Sequence, residues 1–431
     1  MYPFVGHLAH GFDCRTILDL GLSDPAQLAG LSGDFQLAGL GAPETVALAR
    51  ERMPAAALVE WDLEGKPPVN AEGSAVVCAV TEERVPDRAR LVEALHRLVG
   101  DARVAVISAP ASAPLDLDPQ SVEFEGLTLS TEGSPERNTS LAVLGRSDDG
   151  PAPAAFSAVA FVTAFNEADI VESTIDHLFG EGLGIYLIDN WSTDGTWELA
   201  QSFESRLVGL ERFPPDGPNP YFELRRLLGR VEELAGTIRA DWFMHVDADE
   251  RRKSAWSGVS LRDGFWRVDR RGFNAVDYTV VTFRPVDDCF RPGADLERHF
   301  RHFEFGRNPG DFFRINSWKA SVGPVDLAAS GGHRVSFDGR RVFPFNFLFK
   351  HYPVRSQDHG ERKIFGERRA RWSAEERADG WHIQYDSIVP GHRFVRDPAT
   401  LELFDPQRFD CKYLVERLTR VGIPRPERAS S

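Results

Sequence analysis

Apolar residues in the first third of the chain form short buried runs that alternate with amphipathic stretches. Strands that alternate with helices predict a doubly wound parallel sheet. Two further short runs, at residues 122–124 and 140–144, predict an antiparallel hairpin that closes the sheet. The predicted strands are residues 16–20, 57–61, 74–80 and 104–108, and the predicted helices are residues 42–53 and 88–99.

A second α/β pattern begins after a stretch of small, polar and proline residues at 147–154. Such a composition cannot build a core, so we place a domain boundary there. Connections between strands and helices are short in the second pattern, and polar residues gather where the predicted strands end. The predicted strands are residues 158–163, 184–189 and 242–246, with a β-rich stretch at 275–283, and the predicted helices are residues 167–178, 194–203 and 224–238.

The length of 431 residues is large for one core, so two domains are expected. We place the first α/β domain at residues 1–146, a linker at 147–155 and the second α/β domain at 156–390. Residues 391–431 predict an irregular tail with a short helix near its middle, at 411–421.

Charge and cysteine usage narrow the class of protein. The formal net charge of −15 argues against a nucleic-acid binder, which needs a basic surface. Cys14, Cys78, Cys289 and Cys411 lie far apart, without a disulfide framework or zinc-ribbon spacing, and this favours a reducing cytoplasm. Residues 1–12 lack the features of a signal peptide. No apolar run approaches the roughly 20 residues that span a bilayer, so a cytoplasmic protein without transmembrane segments is expected.

Three polar turns each follow a predicted strand of the second domain. They are Thr163-Ala164-Phe165-Asn166-Glu167, residues 189–196, and Asp247-Ala248-Asp249-Glu250. Each alone is an ordinary helix cap or turn. Ligands of open α/β sheets bind at the carboxyl ends of the strands, and together these turns place several carboxylates in one crevice there. A bound cation would relieve the repulsion between those carboxylates.

The order and spacing of these turns resemble a family 2-like glycosyltransferase of the GT-A fold, over about residues 156–375. The resemblance implies metal-dependent transfer of a sugar from a nucleotide diphosphate donor to a hydroxyl acceptor (a glycan, a lipid or a small molecule), with inversion as the default. Mn²⁺ or Mg²⁺ is the implied cofactor, because hard oxygen ligands suit these ions. In this Asp-x-Asp motif, Asp249 would bind the metal and Asp247 would lie between ribose and metal. Bordering the nucleotide would be Thr163, Asn166, Glu167, Asp189, Asp194 and Asn190, which replaces the second acid of the family's usual pair.

A second landmark is the stretch Phe349-Lys350-His351-Tyr352-Pro353-Val354-Arg355-Ser356. It resembles the His-Tyr-Pro-x-(Arg/Lys)-Ser segment that closes the catalytic domain in some relatives of that family. By this resemblance His351 completes the metal shell or contacts the diphosphate, and Arg355 and Lys363 neutralise phosphate oxygens. The alternative, a core histidine beside a surface ion pair, stays open.

An inverting transfer needs a general base that takes the proton of the acceptor hydroxyl. Six acids after the metal motif are candidates: Asp287, Asp288, Asp295, Glu297, Glu304 and Asp326. Asp288 follows a predicted strand and Glu304 lies in an aromatic and histidine-rich stretch, so these two are singled out. Burial there would raise the pKa of a carboxyl group toward neutrality. The alternative, that either acid pairs with a neighbouring arginine, stays open. His333 is a weaker candidate. Residues 368–377 predict an exposed charged helix, either a solvated face or a contact with an acidic acceptor or a membrane surface.

Asp19-Leu20-Gly21 ends the first predicted strand of the chain, and Trp61-Asp62-Leu63 follows a later one. With the order of elements, they resemble an S-adenosylmethionine-dependent methyltransferase domain, which implies a Rossmann-like sheet over residues 1–146. Leu22-Ser23-Asp24-Pro25 replaces the family's Gly-x-Gly continuation. Gly39-Leu40-Gly41-Ala42 stands where the family has the acid that grips the ribose hydroxyls after its second strand. We therefore expect a degenerate domain that acts as a scaffold or an interaction module.

Three other functions stay open at this stage. A nucleotidyltransferase would need a basic loop for the triphosphate, and residues 163–169 contain no lysine or arginine. A non-catalytic nucleotide-sugar-binding protein would retain the acidic turns without turnover. A bifunctional methyltransferase–glycosyltransferase would bind S-adenosylmethionine within residues 1–146.

Overall fold

The computed structural model describes residues 2–80, 88–110, 139–144, 150–256, 258–306, 314–378, 381 and 386–405. These residues form two compact units that divide between Gly150 and Pro151. Each unit is described by itself. In the part of the chain that the structure describes, no helix combines the length and the apolar character needed to cross a bilayer.

The first unit is a sheet of six strands with four helices. The strands are β1 (Thr16–Leu20), β2 (Gln36–Gly41), β3 (Ala57–Glu60), β4 (Ser74–Ala79), β5 (Val104–Pro110) and β6 (Thr139–Leu144). The helices are α1 (Tyr2–Gly11), α2 (Pro25–Ala29), α3 (Pro43–Arg52) and α4 (Arg88–Asp101). Their sheet has the order β3-β2-β1-β4-β5-β6, in which the first five strands are parallel and β6 is antiparallel.

The core of this unit lies between the sheet and α4. Leu91, Leu95 and Leu98 follow helical spacing, and they pack against strand residues such as Val76 and Ile107. The predicted strands and helices of the first domain are confirmed, most of them to within two residues. Helix α1 was not predicted. One arm of the predicted hairpin, 140–144, lies in the antiparallel β6, and the other arm, 122–124, lies outside the described residues.

The second unit is a mixed sheet of ten strands with seven α-helices in the described part. The strands are β7 (Ala158–Ala164), β8 (Gly184–Asp189), β9 (Gly209–Arg212), β10 (Trp242–Asp247), β11 (Glu250–Lys253), β12 (Ala275–Phe283), β13 (His302–Glu304), β14 (Ser317–Lys319), β15 (Val342–His351) and β16 (Glu402–Leu403). The helices are α5 (Val171–Gly180), α6 (Thr196–Gln201), α7 (Leu224–Ala235), α8 (Leu261–Arg270), α9 (Leu296–His299), α10 (Gln357–Glu361) and α11 (Ala374–Ala378).

The order β11-β15-β12-β14-β10-β7-β8-β9 makes β7 the point where the chain changes direction across the sheet. From β7 the chain builds β8 and β9 on one side, and it then returns to form β10 on the other side, with these four strands parallel. Crevices at such switch points, outside the carboxyl ends of the strands, are the usual ligand sites of open α/β sheets. The fold therefore directs attention to the ends of β7, β8 and β10.

Two predicted segments of the second domain differ from the structure. Helix α5 begins at Val171 rather than at Glu167, because residues 167–170 form a turn whose backbone bonds to the neighbouring loop. The predicted charged helix at 368–377 is broken at Trp372, and Glu376 within it is buried. In the predicted tail, β16 pairs with β13, and residues 411–421 lie outside the described part of the chain.

Candidate functional site

Strand register brings the ends of β7, β8 and β10 into one row. Thr163 of β7 lies opposite Asp247 of β10, and Ala164 lies opposite Asp189 of β8. Since parallel strands end at the same edge, the three predicted polar turns are neighbours in space. This is the juxtaposition that the sequence predicts.

Side-chain hydrogen bonds fasten the first two turns to each other. Asp194 accepts from the Ala168 backbone at 3.0 Å and from Thr196 Oγ1 at 2.6 Å. Asn166 has φ of 54°, in the left-handed region that asparagine tolerates, and its Oδ1 accepts from the Thr193 backbone at 2.9 Å. The amide of Asn166 and the carboxylate of Asp194 thus hold the shape of the turns.

Asp189 is the last residue of β8, and Asn190 follows it. Asp189 is fully buried; its Oδ2 accepts from the Ser192 backbone at 3.0 Å, and its Oδ1 accepts no hydrogen bond from the described residues. Burial raises the pKa of Asp189. Asn190 donates to the Phe213 carbonyl at 2.9 Å and accepts from Arg371 at 2.8 Å. Among the described residues, Oδ1 of Asp189 is therefore a buried acceptor without a donor, whereas Oδ2 also lies 3.4 Å from Arg212 Nε.

The third turn contributes to a group of potential metal ligands. Asp249, Glu250 and His351 each offer one ligand atom, and the three atoms lie within 4.8 Å of one another. Pairing of β11 with β15 sets Glu250 opposite His351, and the Tyr352 backbone donates to the Asp249 carbonyl at 2.9 Å. Asp249 Oδ1 and His351 Nε2 are 3.8 Å apart, too far for a hydrogen bond. These three residues form the candidate metal centre.

Two buried cationic side chains, those of Lys363 and Arg355, bind acidic residues in and beside this centre. The Lys363 ammonium donates to Glu167 at 2.7 Å and to Asp249 Oδ2 at 2.9 Å. Arg355 donates to the other oxygen of Glu167 at 2.5 Å and to both oxygens of Asp169, at 2.6 and 2.8 Å. The sequence analysis assigns Lys363 and Arg355 to phosphate oxygens. In the structure both side chains are engaged with buried carboxylates, because those acids need a counter-charge inside the protein.

This packing sets the protonation states. Burial alone would raise the pKa of Asp249, but the charges of Lys363, His351 and Arg368 hold it well below its usual range. Burial lowers the pKa of His351 to about 4, aided by Arg314 and Lys363 against the charge of Asp249. An ionised carboxylate and a neutral imidazole are the forms that bind a metal. At neutral pH both residues are therefore ready for a cation.

Asp247 lies outside the candidate metal centre, although the sequence analysis counts it among the ligands. Its side chain is 54% exposed, and Oδ1 accepts from Thr163 Oγ1 at 2.5 Å. Thr163 in turn contacts His245 Nε2 at 3.2 Å. Alternate residues along a strand point to the same face, which would direct Asp247 and Asp249 the same way. Because β10 ends at Asp247, a turn intervenes and carries Asp249 to β15 instead.

The predicted general bases form hydrogen bonds with residues other than the three candidate metal ligands. Asp288 is exposed and accepts from the Gln357 backbone at the start of α10, at 2.7 Å. Glu304 is half-buried and accepts from Arg284 at 2.7 Å, rather than lying in an apolar pocket. His333 is exposed, yet desolvation of its ring and the charge of Arg314 lower its pKa to about 3, against the charge of Asp247.

The sequence analysis missed two arginines that shape the site. Arg252 is fully buried between the rings of Phe349 and Tyr278, at 3.7 and 4.4 Å, and donates to Glu250 at 2.5 Å. Arg371 lies in the cluster predicted to be a solvated face, yet its guanidinium is 4.0 Å from the centroid of Phe165. The basic run that follows the Asp-x-Asp motif was a usable signal for Arg252. Nothing local distinguished Arg371.

The first unit carries its own polar loop at the end of β1. Asp19 accepts from the Tyr2 hydroxyl at 2.6 Å and from the Leu22 backbone at 3.1 Å. Leu22 is 1% exposed and fills the space above Gly39, where an added Cβ would stand 2.3 Å from Leu22 Cδ2. The Gly21 backbone donates to the Leu40 carbonyl at 2.7 Å. The loop at residues 19–22, which would face a cofactor, therefore forms its hydrogen bonds with residues of the first unit.

Comparisons with known proteins bear on part of the chain. No protein-family model matches the sequence, and no curated protein matches it. Among solved structures, a TehB-like SAM-dependent methyltransferase from Corynebacterium glutamicum is 20% identical with a TM-score of 0.26, over 33% of this chain and 88% of its own. A sugar N-methyltransferase from Streptoalloteichus is 17% identical with a TM-score of 0.26, over 34% of this chain and 87% of its own.

A third similar structure is an amino pentose methyltransferase from Micromonospora echinaspora, bound to SAM. It is 24% identical with a TM-score of 0.21, over 24% of this chain and 48% of its own. The structures named here are methyltransferases, and they give no support to the GT-A resemblance of the second unit. That resemblance remains a prediction from the sequence.

Proposed function

We propose that the second unit is a metal-dependent glycosyltransferase that uses a nucleotide diphosphate sugar as donor. The observation that carries the proposal is the position of Asp249 at the switch point of an open α/β sheet. One carboxylate oxygen is fixed by Lys363, and the other faces His351 at 3.8 Å. Asp249 therefore has one carboxylate oxygen directed toward a possible cation site, beside two strand-end turns with further polar groups. A cation bound there would bind the diphosphate of the donor.

The residues of the candidate metal centre fit a divalent cation. Metal–ligand bonds of about 2.0–2.2 Å place two ligands of one ion up to about 4 Å apart, and Asp249 Oδ1 and His351 Nε2 meet this limit at 3.8 Å. Carboxylates suit both Mg²⁺ and Mn²⁺, whereas imidazole is a softer ligand, so the mixed set favours Mn²⁺. When bound, the cation would neutralise charge on the departing nucleoside diphosphate.

The protein's own residues would divide the remaining tasks. Lys363 keeps Asp249 ionised and oriented, and Arg355 holds the side chain of Glu167 in place. Arg314 and Arg368 add positive charge that is felt at His351 and Asp249, which would attract the diphosphate. The nucleoside would meet the turns of β7 and β8, which carry Thr163, Asn166, Glu167, Asp189, Asn190 and Asp194.

A thermal-shift screen of nucleotide sugars with and without Mn²⁺ tests the proposal. The wild-type protein is expected to gain stability with one donor only when Mn²⁺ is present, by mass action. Asp249→Asn keeps the shape of the side chain and should lose the response, whereas the exposed Asp338→Asn is a matched control that should keep it. If no nucleotide stabilises the wild-type protein, or if Asp249→Asn responds equally, the proposal fails.

Product analysis separates the proposal from its neighbours. Glycosyl transfer releases a nucleoside diphosphate, whereas nucleotidyl transfer from a triphosphate releases pyrophosphate. A donor that binds tightly with Mn²⁺ but is consumed with neither acceptors nor water would indicate a binding protein.

A second candidate function is methyl transfer by the first unit, which would make the protein bifunctional. The parallel order β3-β2-β1-β4-β5 with an antiparallel β6 favours it, as a Rossmann-like sheet. The loop after β1 opposes it, because Tyr2 and Leu22 satisfy Asp19, and Leu22 fills the adjacent space. Calorimetry with S-adenosylmethionine on the full chain decides: saturable binding supports bifunctionality, and no heat of binding removes it.

A further inference from the structure

One short helical segment reaches all three strand-end turns. It runs from Arg362 to Arg371, first as a π-helix and then as a 3-10 helix, and we call it the clasp. Lys363, Glu367 and Arg371 follow one another at intervals of four residues in this segment. The side chains of these three residues contact the turns.

The contacts are distributed over the whole site. Lys363 joins the first turn to the third, as described above. Glu367 accepts from the Asn166 amide of the first turn at 3.0 Å. Arg371 donates to Asn190 of the second turn at 2.8 Å, and the Arg371 carbonyl accepts from the Phe222 backbone at 2.6 Å. A single segment therefore covers the edge where β7, β8 and β10 end.

Arg371 makes the contacts that a nucleobase would make. Its planar guanidinium lies 4.0 Å from the centroid of Phe165 and is hydrogen-bonded to an amide oxygen at the end of the next strand. Nucleobases are held by proteins in the same way, with the ring face on an aromatic side chain and the edge hydrogen-bonded. Phe165 and Asn190 belong to the turns that are proposed to border the nucleoside.

We infer that Arg371 is an internal occupant of the nucleoside pocket, and that the clasp withdraws from Phe165 when the donor base binds. The inference rests on the proposed function, because it requires a nucleotide donor. A base that replaced Arg371 would regain the stack on Phe165 and the bond to Asn190. The apparent affinity for the donor is then the intrinsic affinity multiplied by the fraction of molecules in which the clasp is open.

Binding of nucleoside diphosphates to three proteins tests this inference. The full chain, Arg371→Ala and Arg369→Ala are titrated with UDP, GDP, ADP, CDP and dTDP in the presence of Mn²⁺. Arg369 belongs to the same segment but contacts Phe365 and the Ile388 carbonyl, so it controls for general loosening of the clasp. Arg371→Ala is expected to bind its nucleotide about tenfold more tightly, since one stacking contact and one hydrogen bond no longer compete. Arg369→Ala should bind as the wild-type protein does.

The outcomes separate this inference from the proposed function. Absence of binding in all three proteins overturns both. Binding to the wild-type protein with equal or weaker binding to Arg371→Ala overturns the internal occupant alone, because Arg371 would then be a ligand contact or a bystander. An equal gain in Arg369→Ala also overturns it, because the effect would come from loosening rather than from competition.

Hydrogen–deuterium exchange on the wild-type protein gives a second reading that needs no variant. Saturating nucleotide with Mn²⁺ should slow exchange in the turns at 163–167 and 189–192. The same addition should speed exchange in the clasp and at Phe222, whose backbone N–H donates to the Arg371 carbonyl. Slower exchange in the clasp would mean that it closes over the donor, and the inference would be wrong.

Discussion

Asp249 gives one carboxylate oxygen to Lys363, at 2.9 Å, and so leaves the other free to face the imidazole of His351. This division of one side chain between an internal cation and a potential metal ion explains how a buried acid stays ionised without using up its coordinating capacity. Lys363 thus acts on the site through Asp249, and its contact with a phosphate stays a prediction.

Replacement of Lys363 by methionine tests this dependence. The variant leaves Glu167 and Asp249 buried without their shared counter-charge, so the free energy of unfolding should fall by about 3–5 kcal/mol. Denaturant unfolding of the wild-type protein and Lys363→Met measures it. Lys253→Met is the matched control, because the 42% exposed Lys253 pairs with Glu181 and should cost less than about 1 kcal/mol. Equal losses in the two variants would contradict the role given to Lys363.

The identity of the metal ligands gives a second prediction. Asp249→Asn and His351→Gln should each weaken Mn²⁺ binding by at least about tenfold, the effect of losing one ligand group. Asp247→Asn should retain Mn²⁺ binding, because its exposed carboxylate bonds to Thr163 and lies outside the candidate metal centre. Electron paramagnetic resonance of free Mn²⁺ during titration measures all three. A loss in Asp247→Asn as large as that in Asp249→Asn would restore the assignment made from the sequence.

The two predicted general bases can be tested once turnover is measured. A general base contributes about 10²- to 10⁴-fold to a rate. Asp288 is exposed and Glu304 is paired with Arg284, so Asp288→Asn and Glu304→Gln are each expected to change kcat less than about threefold. Asp249→Asn serves as the reference for a large loss. A drop of a hundredfold in either variant, with KM unchanged, would identify that residue as the base after all.

Local patterns were enough to predict β7, β8 and β10, which end in the three polar turns, whereas β11 and β15, which carry Glu250 and His351, were not predicted. The runs that became β8 and β12 are apolar and are bounded by polar or glycine residues, so the predicted bounds are those of the structure. The register of parallel strands then brings the turns together without any further information. The juxtaposition of three turns was therefore predictable, since it follows from strand order at one edge.

The partners of the charged side chains were not predictable in the same way. Lys363 and Asp249 are 114 residues apart in the chain, and Arg355 and Glu167 are 188 apart, so no local spacing encodes their contact. The sequence analysis assigned these two cations to phosphate oxygens because their acidic partners could not be identified from the sequence. The role of Arg371 was missed for the same reason, since its partners Phe165 and Asn190 lie in the first half of the chain.

Asp19 gives a pH-dependent prediction in the first unit. Burial, with Asp24 adding to it and the bonds from Tyr2 and Leu22 opposing it, raises the pKa of Asp19 from 3.8 to about 6. The folded protein thus holds this proton more tightly than the unfolded chain, so the contribution to stability is complete below pH 4 and is lost as the pH rises to 6. Asn in place of Asp19 has no charge to bury. Its Oδ1 can accept from the Leu22 backbone, and its Nδ2 can donate to the Tyr2 hydroxyl oxygen, which reverses that hydrogen bond.

Urea unfolding at pH 4, 6 and 7.5 checks this expectation. Asp19→Asn should match the wild-type protein at pH 4 and exceed it by up to about 3 kcal/mol at pH 7.5. The exposed Asp62→Asn is the control and should show a difference that does not change with pH. A wild-type protein more stable than Asp19→Asn at pH 7.5 would mean that the ionised carboxylate stabilises the loop, contrary to the burial argument.

The last prediction concerns the space beside that loop, which Leu22 and Gly39 share. A Cβ at Gly39 would lie 2.3 Å from Leu22 Cδ2 and 3.1 Å from Leu58, so Gly39→Ala should destabilise the protein by about 1–3 kcal/mol through overpacking. Leu22→Ala should cost about 2–5 kcal/mol through the cavity that it leaves. In the double variant the methyl group enters that cavity, and the loss should fall short of the sum by about 0.5–3 kcal/mol.

Gly33→Ala is the control for this cycle, because nothing lies within 4 Å of its Cβ position. Strict additivity of Gly39→Ala and Leu22→Ala would show that Leu22 does not occupy this space in solution. The single variant Leu22→Ala also bears on methyl transfer. If Leu22 closes the crevice, the wild-type protein should not bind S-adenosylmethionine. Leu22→Ala, with Gly39 unchanged, should then bind it. Binding to the wild-type protein as strong as to Leu22→Ala would mean that the crevice is open already.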